Sequence, residues 1–284
     1  MQILNNEPLS KYTTVRLGGV AEKMYIPETT EELVELLRKE PIQYVIGGGS
    51  NLLIADRTFD KVLNLRKFDD TLISCGGGRY VCGASLRLRK LVSTINADGY
   101  GGIEYLCTVP GLLGGAVAMN AGTGKDQGLS ISDHIVSVTV LELKSMKVIT
   151  LSKEQCNFSH RNSLFKNNGD YLILSCDFIF PEQSFEESKR LCDEKREYTK
   201  KYHDTALPNF GSVFSVFNPY LLAVVSKLQL GDKNGIHFSG KTMNWIINSN
   251  MCNSSKKAFQ IIGAVKIIHK LCFQKCKVEV VMWR

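Results

Sequence analysis

Two glycine blocks constrain this chain more than any other feature: Gly47-Gly48-Gly49-Ser50-Asn51, and the longer run from Val109 to Gly122 that reads VPGLLGGAVAMNAG. Glycine reaches positive φ without strain and lets other groups approach the backbone closely, and successive free N–H groups form a concavity suited to phosphate oxygens. Glycine at this density costs chain entropy on folding, so it calls for a reason beyond turn-making. Neither block has a common nucleotide spacing. Leu52 stands where G-x-G-x-x-G needs its third glycine, Met119 takes the place of the first P-loop glycine, and Gly124-Lys125 is followed by Asp126. The pair of blocks points to one extended, partly anionic cofactor outside the Rossmann and Walker classes.

A chain of 284 residues with 44% apolar content can form two medium domains or one large one. The formal charge is +7, with basic residues dispersed. Lys189, Arg190, Lys195, Arg196, Lys200 and Lys201 share a segment with Glu182, Glu186, Glu187, Asp193, Glu194 and Glu197, the pattern of a solvated helix. No recognition motif accompanies the charge, so no nucleic-acid partner is expected. No segment approaches the roughly 20 apolar residues of a membrane span, and Met1 to Glu7 lacks a signal-peptide pattern. A cytoplasmic protein without a membrane partner is expected. Nine scattered cysteines without C-x-x-C fit a reducing compartment. His269, Cys272 and Cys276 have helical spacing, but they lie in the apolar pattern Ile261, Ile262, Val265, Ile268, Leu271 and read as packing, so no metal is expected.

Thr29, with Glu32 three residues on, caps an expected helix through Leu33 to Leu37 that stops before Pro41. Tyr44-Val45-Ile46 then reads as a strand running into the first glycine block. Strands are expected at Val62 to Leu65 and Tyr80 to Ala84, followed by a helix from Leu86 to about Asn96. Alternation marks Ile135 to Leu143 and Tyr171 to Phe180 as half-buried strands, with a shorter one at Lys147 to Leu151 between them. After Pro181 the charged helical run extends to Tyr202. Further elements are a helix near Tyr220 to Leu228, a strand at Asn244 to Ile247, a helix from Ser254 to Leu271 and a closing strand Val278 to Trp283. The composition shift places a boundary at 183/184.

Taken in order, Thr13-Thr14-Val15-Arg16-Leu17-Gly18-Gly19, Gly47 to Leu53, Pro110 to Gly122, Arg161-Asn162-Ser163 and Gly211-Ser212-Val213-Phe214 resemble the bacterial UDP-N-acetylenolpyruvoylglucosamine reductases (MurB) across nearly the whole chain. The C-terminal part resembles the shorter type, without a tyrosine-bearing insertion. The resemblance implies an α+β chain: an FAD-binding fold of vanillyl-alcohol-oxidase (PCMH) type in two subdomains over 1–183, split near 65–75, and a C-terminal α+β substrate domain over 184–284. It implies bound FAD, NADPH as hydride donor, and reduction of UDP-N-acetylglucosamine enolpyruvate to UDP-N-acetylmuramate in peptidoglycan precursor synthesis.

By the same resemblance, Gly47, Gly48, Gly49, Ser50 and Asn51 cradle the flavin phosphates. Pro110, Gly111, Gly114, Gly115, Ala116 and Asn120 run along the flavin, and Ile131 lies near the adenine end. Arg161 meets the enolpyruvyl carboxylate, Ser212 supplies the proton to C2, and Glu279, in Val278-Glu279-Val280, steadies the enolic intermediate. His237, Lys241 and Asn244 face the substrate. Here the chain departs from the family: His237 replaces a glutamine, Gly240 and Thr242 replace charged or polar neighbours, Ser215 a lysine and His160 a tyrosine. The departures leave open a flavoprotein of the same fold acting on another enolpyruvyl or nucleotide-sugar compound, or a flavin-binding module with impaired catalysis.

Overall fold

Helix α1 (Thr30–Lys39) starts where its cap dictates: Thr29 is extended, and its hydroxyl accepts the Glu32 N–H at 3.2 Å. The computed structural model describes residues 1–123, 128–166, 168–228 and 235–284, so the Gly124-Lys125-Asp126 stretch lies outside the described residues. The N-terminal elements are β1 (Gln2–Pro8), β2 (Val20–Ile26), α1, β3 (Tyr44–Ile46), β4 (Leu52–Ile54) and β5 (Thr58–Asn64). Next come β6 (Leu72–Gly76), β7 (Arg79–Gly83), α2 (Leu88–Ala97), α3 (Leu113–Ala118), β8 (Ile135–Glu142), β9 (Lys147–Ser152), β10 (Tyr171–Ile179) and α4 (Phe185–Tyr202). The C-terminal run is β11 (Asn209–Ser212), β12 (Phe214–Val216), α5 (Pro219–Lys227), β13 (Ile236–Phe238), β14 (Trp245–Asn248), α6 (Lys256–Leu271), β15 (Lys277–Val278) and β16 (Val281–Trp283).

The chain divides into two compact units. The first comprises Met1–Ile3, Tyr25–Gly48 and Val62–Glu197; the second comprises Leu4–Met24, Gly49–Lys61 and Tyr198–Arg284. The first unit holds an antiparallel sheet ordered β6-β7-β10-β8-β9. Its inner face carries Tyr80, Cys82, Val138, Val140, Cys176 and Phe178 into a core with α2 and α3. The same unit contains the parallel pairing of β3 with β5, Tyr44↔Val62 to Ile46↔Asn64. In the second unit β11-β14-β13 form a small sheet, β12 pairs β15, and β16 runs parallel to β4. Val15, Leu17, Leu53, Phe210, Phe214, Ile246, Ile261 and Val265 fill its core.

Three differences from the sequence expectations have physical causes. The second glycine block contains the short helix α3, which glycine propensity argues against. Leu113 N–H donates to Leu86 O at 2.9 Å and Gly114 N–H to Ala84 O at 2.8 Å, so neighbouring chain holds its first turn. The closing strand is broken: β15 pairs β12 and β16 pairs β4, leaving Glu279 in the gap where the chain changes partner. Strands β4, β11 and β12 are only three or four residues long, and each is set by a partner remote in sequence: β16, β14 and β15 respectively.

His269 is structural. It is fully buried, its Nδ1–H donates to Val265 O at 2.8 Å, and its Nε2 accepts the Asn218 N–H at 2.9 Å.

Candidate functional site

In the first unit the two glycine blocks meet backbone to backbone. A Cβ on Gly48 would lie 2.9 Å from Gly111 Cα and 3.1 Å from Leu112 N, so only glycine allows this approach. Arg66 pins the loop: its Nε donates to Gly47 O at 2.9 Å and its Nη2 to Gly48 O at 3.0 Å. With these carbonyls engaged, the N–H groups of Gly47, Gly48, Gly111, Leu112 and Gly115 donate to no protein acceptor among the described residues. A Cβ at Gly115 would meet open space. Five free N–H groups with a fixed arginine behind them fit an anionic, phosphate-bearing ligand. Arg66 carries no sequence signal, since the Arg66-Lys67 pair after a strand reads as solvated.

The same unit joins the second block to the arginine loop. Asn120 is buried with φ +46°; its Nδ2 donates to Ser159 O at 2.9 Å, and its Oδ1 accepts the Ser132 N–H at 3.3 Å. Ser163 Oγ donates to Ala118 O at 2.7 Å. Ser159 and Asn162 bond reciprocally around Arg161, which sits at φ +54°, in the left-handed region that disfavours a side chain. Local strain at a residue held from both sides is common at functional sites. Ile131 is fully buried in the core and its N–H donates to Ala121 O at 2.8 Å.

Two further side chains answer to Arg161. Tyr105 has a buried hydroxyl with no hydrogen-bond partner among the described residues. Burial pushes its phenol up, Asp133 acts in the same sense, and the positive charge of Arg161 opposes them. Lys195 is half-buried, which pushes its ammonium down, and Arg161 adds to that effect. Neither residue had a sequence signal: Tyr105 reads as core, and Lys195 as one of many lysines on a charged helix.

In the second unit the remaining blocks converge. Thr14 N–H donates to Gly49 O at 3.1 Å, while Thr14 Oγ1 donates to Asn209 O at 2.6 Å, three residues before Ser212. A Cβ on Gly49 would lie 1.9 Å from Tyr12 O. Asn51 Nδ2 donates to Glu279 O at 3.3 Å, and the Glu279 N–H donates to Val213 O at 2.7 Å. The Val213 N–H donates to Asn244 O at 2.9 Å. Asn244 then brackets the next residue: its Oδ1 accepts the Phe214 N–H at 3.0 Å and its Nδ2 donates to Phe214 O at 2.8 Å. Asn51, Ser212, Asn244 and Glu279 thus share one hydrogen-bonded layer. Ser212 is partly exposed after Gly211 at φ +72°, and its hydroxyl has no protein partner among the described residues.

His237 and Lys241 are engaged differently. His237 Nδ1–H donates to Phe238 O at 2.8 Å, and Lys241 Nζ donates to Lys200 O at 3.0 Å. The Thr242 hydroxyl donates to Tyr202 O. Together Lys241 and Thr242 satisfy terminal carbonyls of α4. Gly235 to Thr242 spells G-x-x-x-x-G-K-T, a P-loop spacing outside the two glycine blocks. The structure excludes that role. The motif lies on the antiparallel β13–β14 pair, with no helix after the lysine to point its N–H groups at a phosphate.

A family model described as FAD binding domain matches residues 21–152. The UDP-N-acetylenolpyruvoylglucosamine reductase of Prochlorococcus marinus subsp. pastoris is 31% identical over 281 residues, covering 94% of this chain and 90% of that protein. The chain belongs to the UDP-N-acetylenolpyruvoylglucosamine reductase family. The reductase of the same name from Carboxydothermus hydrogenoformans is 30% identical, covering 99% of this chain and 92% of its own. The crystal structure of UDP-N-acetylenolpyruvylglucosamine reductase (MurB) from Thermus caldophilus superposes with a TM-score of 0.78 at 23% identity, covering all of this chain and 98% of that one. The chain has the family's α+β, FAD-binding fold.

Proposed function

We infer that this reductase uses FAD and NADPH to convert UDP-N-acetylglucosamine enolpyruvate to UDP-N-acetylmuramate, a step of peptidoglycan precursor synthesis. The observation that carries the cofactor is the row of N–H groups at Gly47, Gly48, Gly111, Leu112 and Gly115, unpaired among the described residues, with Arg66 behind it. When bound, FAD supplies the two-electron relay between NADPH and the enolpyruvyl double bond.

The chain's own residues supply charge and proton control. Hydride addition at C3 pushes electron density toward the carboxylate, so the site must hold a dianionic, enolate-like group and then protonate C2. Arg161 presents a planar fork suited to that carboxylate, and its left-handed backbone, clamped by Asn120 and Ser163, limits how far the fork can wander. Ser212 holds the proton for C2 on a hydroxyl that no group among the described residues engages. Glu279 faces the same layer through its N–H bond to Val213.

Gly49, Ser50, Asn51, Pro110, Gly114, Ala116 and Ile131 complete the cofactor side of the proposal, His237 and Lys241 the substrate side. Asn244 serves the substrate side indirectly, by fixing the strand that carries Ser212. We assign residues 1–183 to the flavin and 184–284 to the substrate, with a cytoplasmic location. Among the described residues no helix is long and apolar enough to cross a membrane.

Ser212→Ala tests the assignment by rapid-mixing spectroscopy. Reduction of the bound flavin by NADPH should proceed as in the parent, whereas reoxidation by the enolpyruvyl sugar should slow by about 10²-fold or more, the usual contribution of a positioned acid. Normal reoxidation would remove Ser212 from its role. A colourless protein that takes up no FAD would sink the flavin reading itself.

A further inference from the structure

The net charge is concentrated. From Ser254 to Arg284 seven Lys and Arg stand against Glu279 alone, a net of +6 out of the chain's +7. Dispersal along the chain therefore holds for the count of basic residues but not for their excess over acids. The segment forms α6 and the turn after it. One side of α6 buries Ala258, Ile261, Ile262, Val265 and His269 in the core of its unit. The other exposes Lys266 and Lys270 one turn apart, beside Ile267 and Leu271 at the same spacing.

These apolar side chains are unusually open to solvent: Ile267 is 60% exposed, Leu271 71% and Phe273 96%. Phe273 is not on a loose end. It sits at φ +54°, its N–H donates to Lys270 O at 3.1 Å, and the Gln274 N–H donates to His269 O at 2.8 Å, so a closed turn presents the ring. Lys275 and Lys277 follow, both exposed. Alongside lies a groove of about 490 Å³, floored by Ile262, Gly263 and Ile267 and bordered by Lys266, Lys270 and Arg284. On the neighbouring helix, Tyr220, Val224 and Leu228 are likewise exposed at four-residue intervals.

A nucleic acid would use the lysines but has no need of an aliphatic stripe ending in a bare phenylalanine. An anionic lipid surface uses both: phosphates meet the lysines, and apolar side chains enter the boundary of the acyl region beneath. We propose that the α6 end docks this enzyme peripherally on an anionic bilayer, through Ile267, Leu271 and Phe273 with Lys266, Lys270, Lys275 and Lys277 around them. That no helix among the described residues is long and apolar enough to span a membrane does not bear on this, because a surface-lying segment spans nothing.

The test is co-sedimentation of the flavin-loaded enzyme with vesicles of phosphatidylglycerol mixed with phosphatidylcholine, against vesicles of phosphatidylcholine alone. Binding to the anionic vesicles only, falling as salt is raised, is the expected result. Lys266→Ala with Lys270→Ala should weaken that binding by about thirtyfold, and Phe273→Ser by roughly tenfold, with flavin content and melting temperature unchanged. The proposal is overturned if anionic vesicles leave the enzyme in the supernatant, if both vesicle types bind it equally, or if the well-folded variants bind like the parent. Retention on duplex DNA without retention on vesicles would likewise overturn it, in favour of a nucleic-acid surface.

Discussion

Replacing Asn244 with alanine should both destabilise the protein and misplace Ser212. The side chain makes two bonds to one residue, accepting from Phe214 N and donating to Phe214 O at 3.0 and 2.8 Å, and Phe214 is almost fully buried. Each bond contributes about 1 kcal/mol net, and leaving the Phe214 N–H unpaired away from water adds about 1 more, for a total of about 2–3 kcal/mol. In a chain of this size that corresponds to a melting shift of about 3–5 °C. Asn244→Asp is the sharper control, since it keeps the acceptor but sets a carboxylate oxygen against Phe214 O where the amide donated. It should be at least as destabilising as alanine, despite its near-identical shape. Both variants should keep flavin and its reduction by NADPH, because the row of free N–H groups lies elsewhere, while substrate-dependent reoxidation slows. Calorimetric melting with rapid-mixing absorbance checks both halves. An alanine variant melting within about 1 °C of the parent with normal reoxidation would show that the bracket neither holds the strand nor positions the serine.

Gly48→Ala should yield protein poor in FAD, read from the absorbance of the purified enzyme, because its Cβ would fall 2.9 Å from Gly111 Cα and force the two blocks apart. Full flavin occupancy in that variant would refute the close approach. Asp56 accepts from Ser254 Oγ, Ser255 Oγ and Ser255 N–H at the start of α6; burial pushes its carboxyl up, but these bonds outweigh it and hold the pKa below the ordinary 3.8. Asp56→Ala should cost about 1 kcal/mol at neutral pH in urea titrations. Because the folded pKa is depressed, the stabilisation is full above 3.8 and is lost as pH falls through the lower folded value, so the parent and variant curves should converge only in acid. Burial raises the Cys82 and Cys192 thiols to about 12 and Cys156 to about 11. A thiol reagent at mild alkaline pH should therefore label the exposed Cys75 and Cys272 first in the native protein, with the buried thiols reacting after denaturation.

What the amino-acid order determines here is whatever depends on neighbours along the chain. Thr29 and Glu32 start α1, alternation marks β8 and β10, and the glycine blocks announce a backbone-lined site because no other residue tolerates what Gly48 and Gly49 must tolerate. Arg161 and Ser212 are legible as parts of ordered motifs. Tertiary structure decides the rest, because it depends on partners remote in sequence. Short strands such as β11 and β12 exist only through β14 and β15, and Glu279 falls in a strand break because β15 and β16 pair with different neighbours. Lys241 and Thr242 spell part of a phosphate loop yet cap α4, since a hairpin rather than a helix follows. Arg66, an unremarkable residue in the sequence, becomes the clasp of the first glycine block once β3 and β5 lie side by side and set its guanidinium on two carbonyls. Hydrogen-bond donors and charges act through space, so the chain can name its candidates, but only the fold assigns each of them an acceptor.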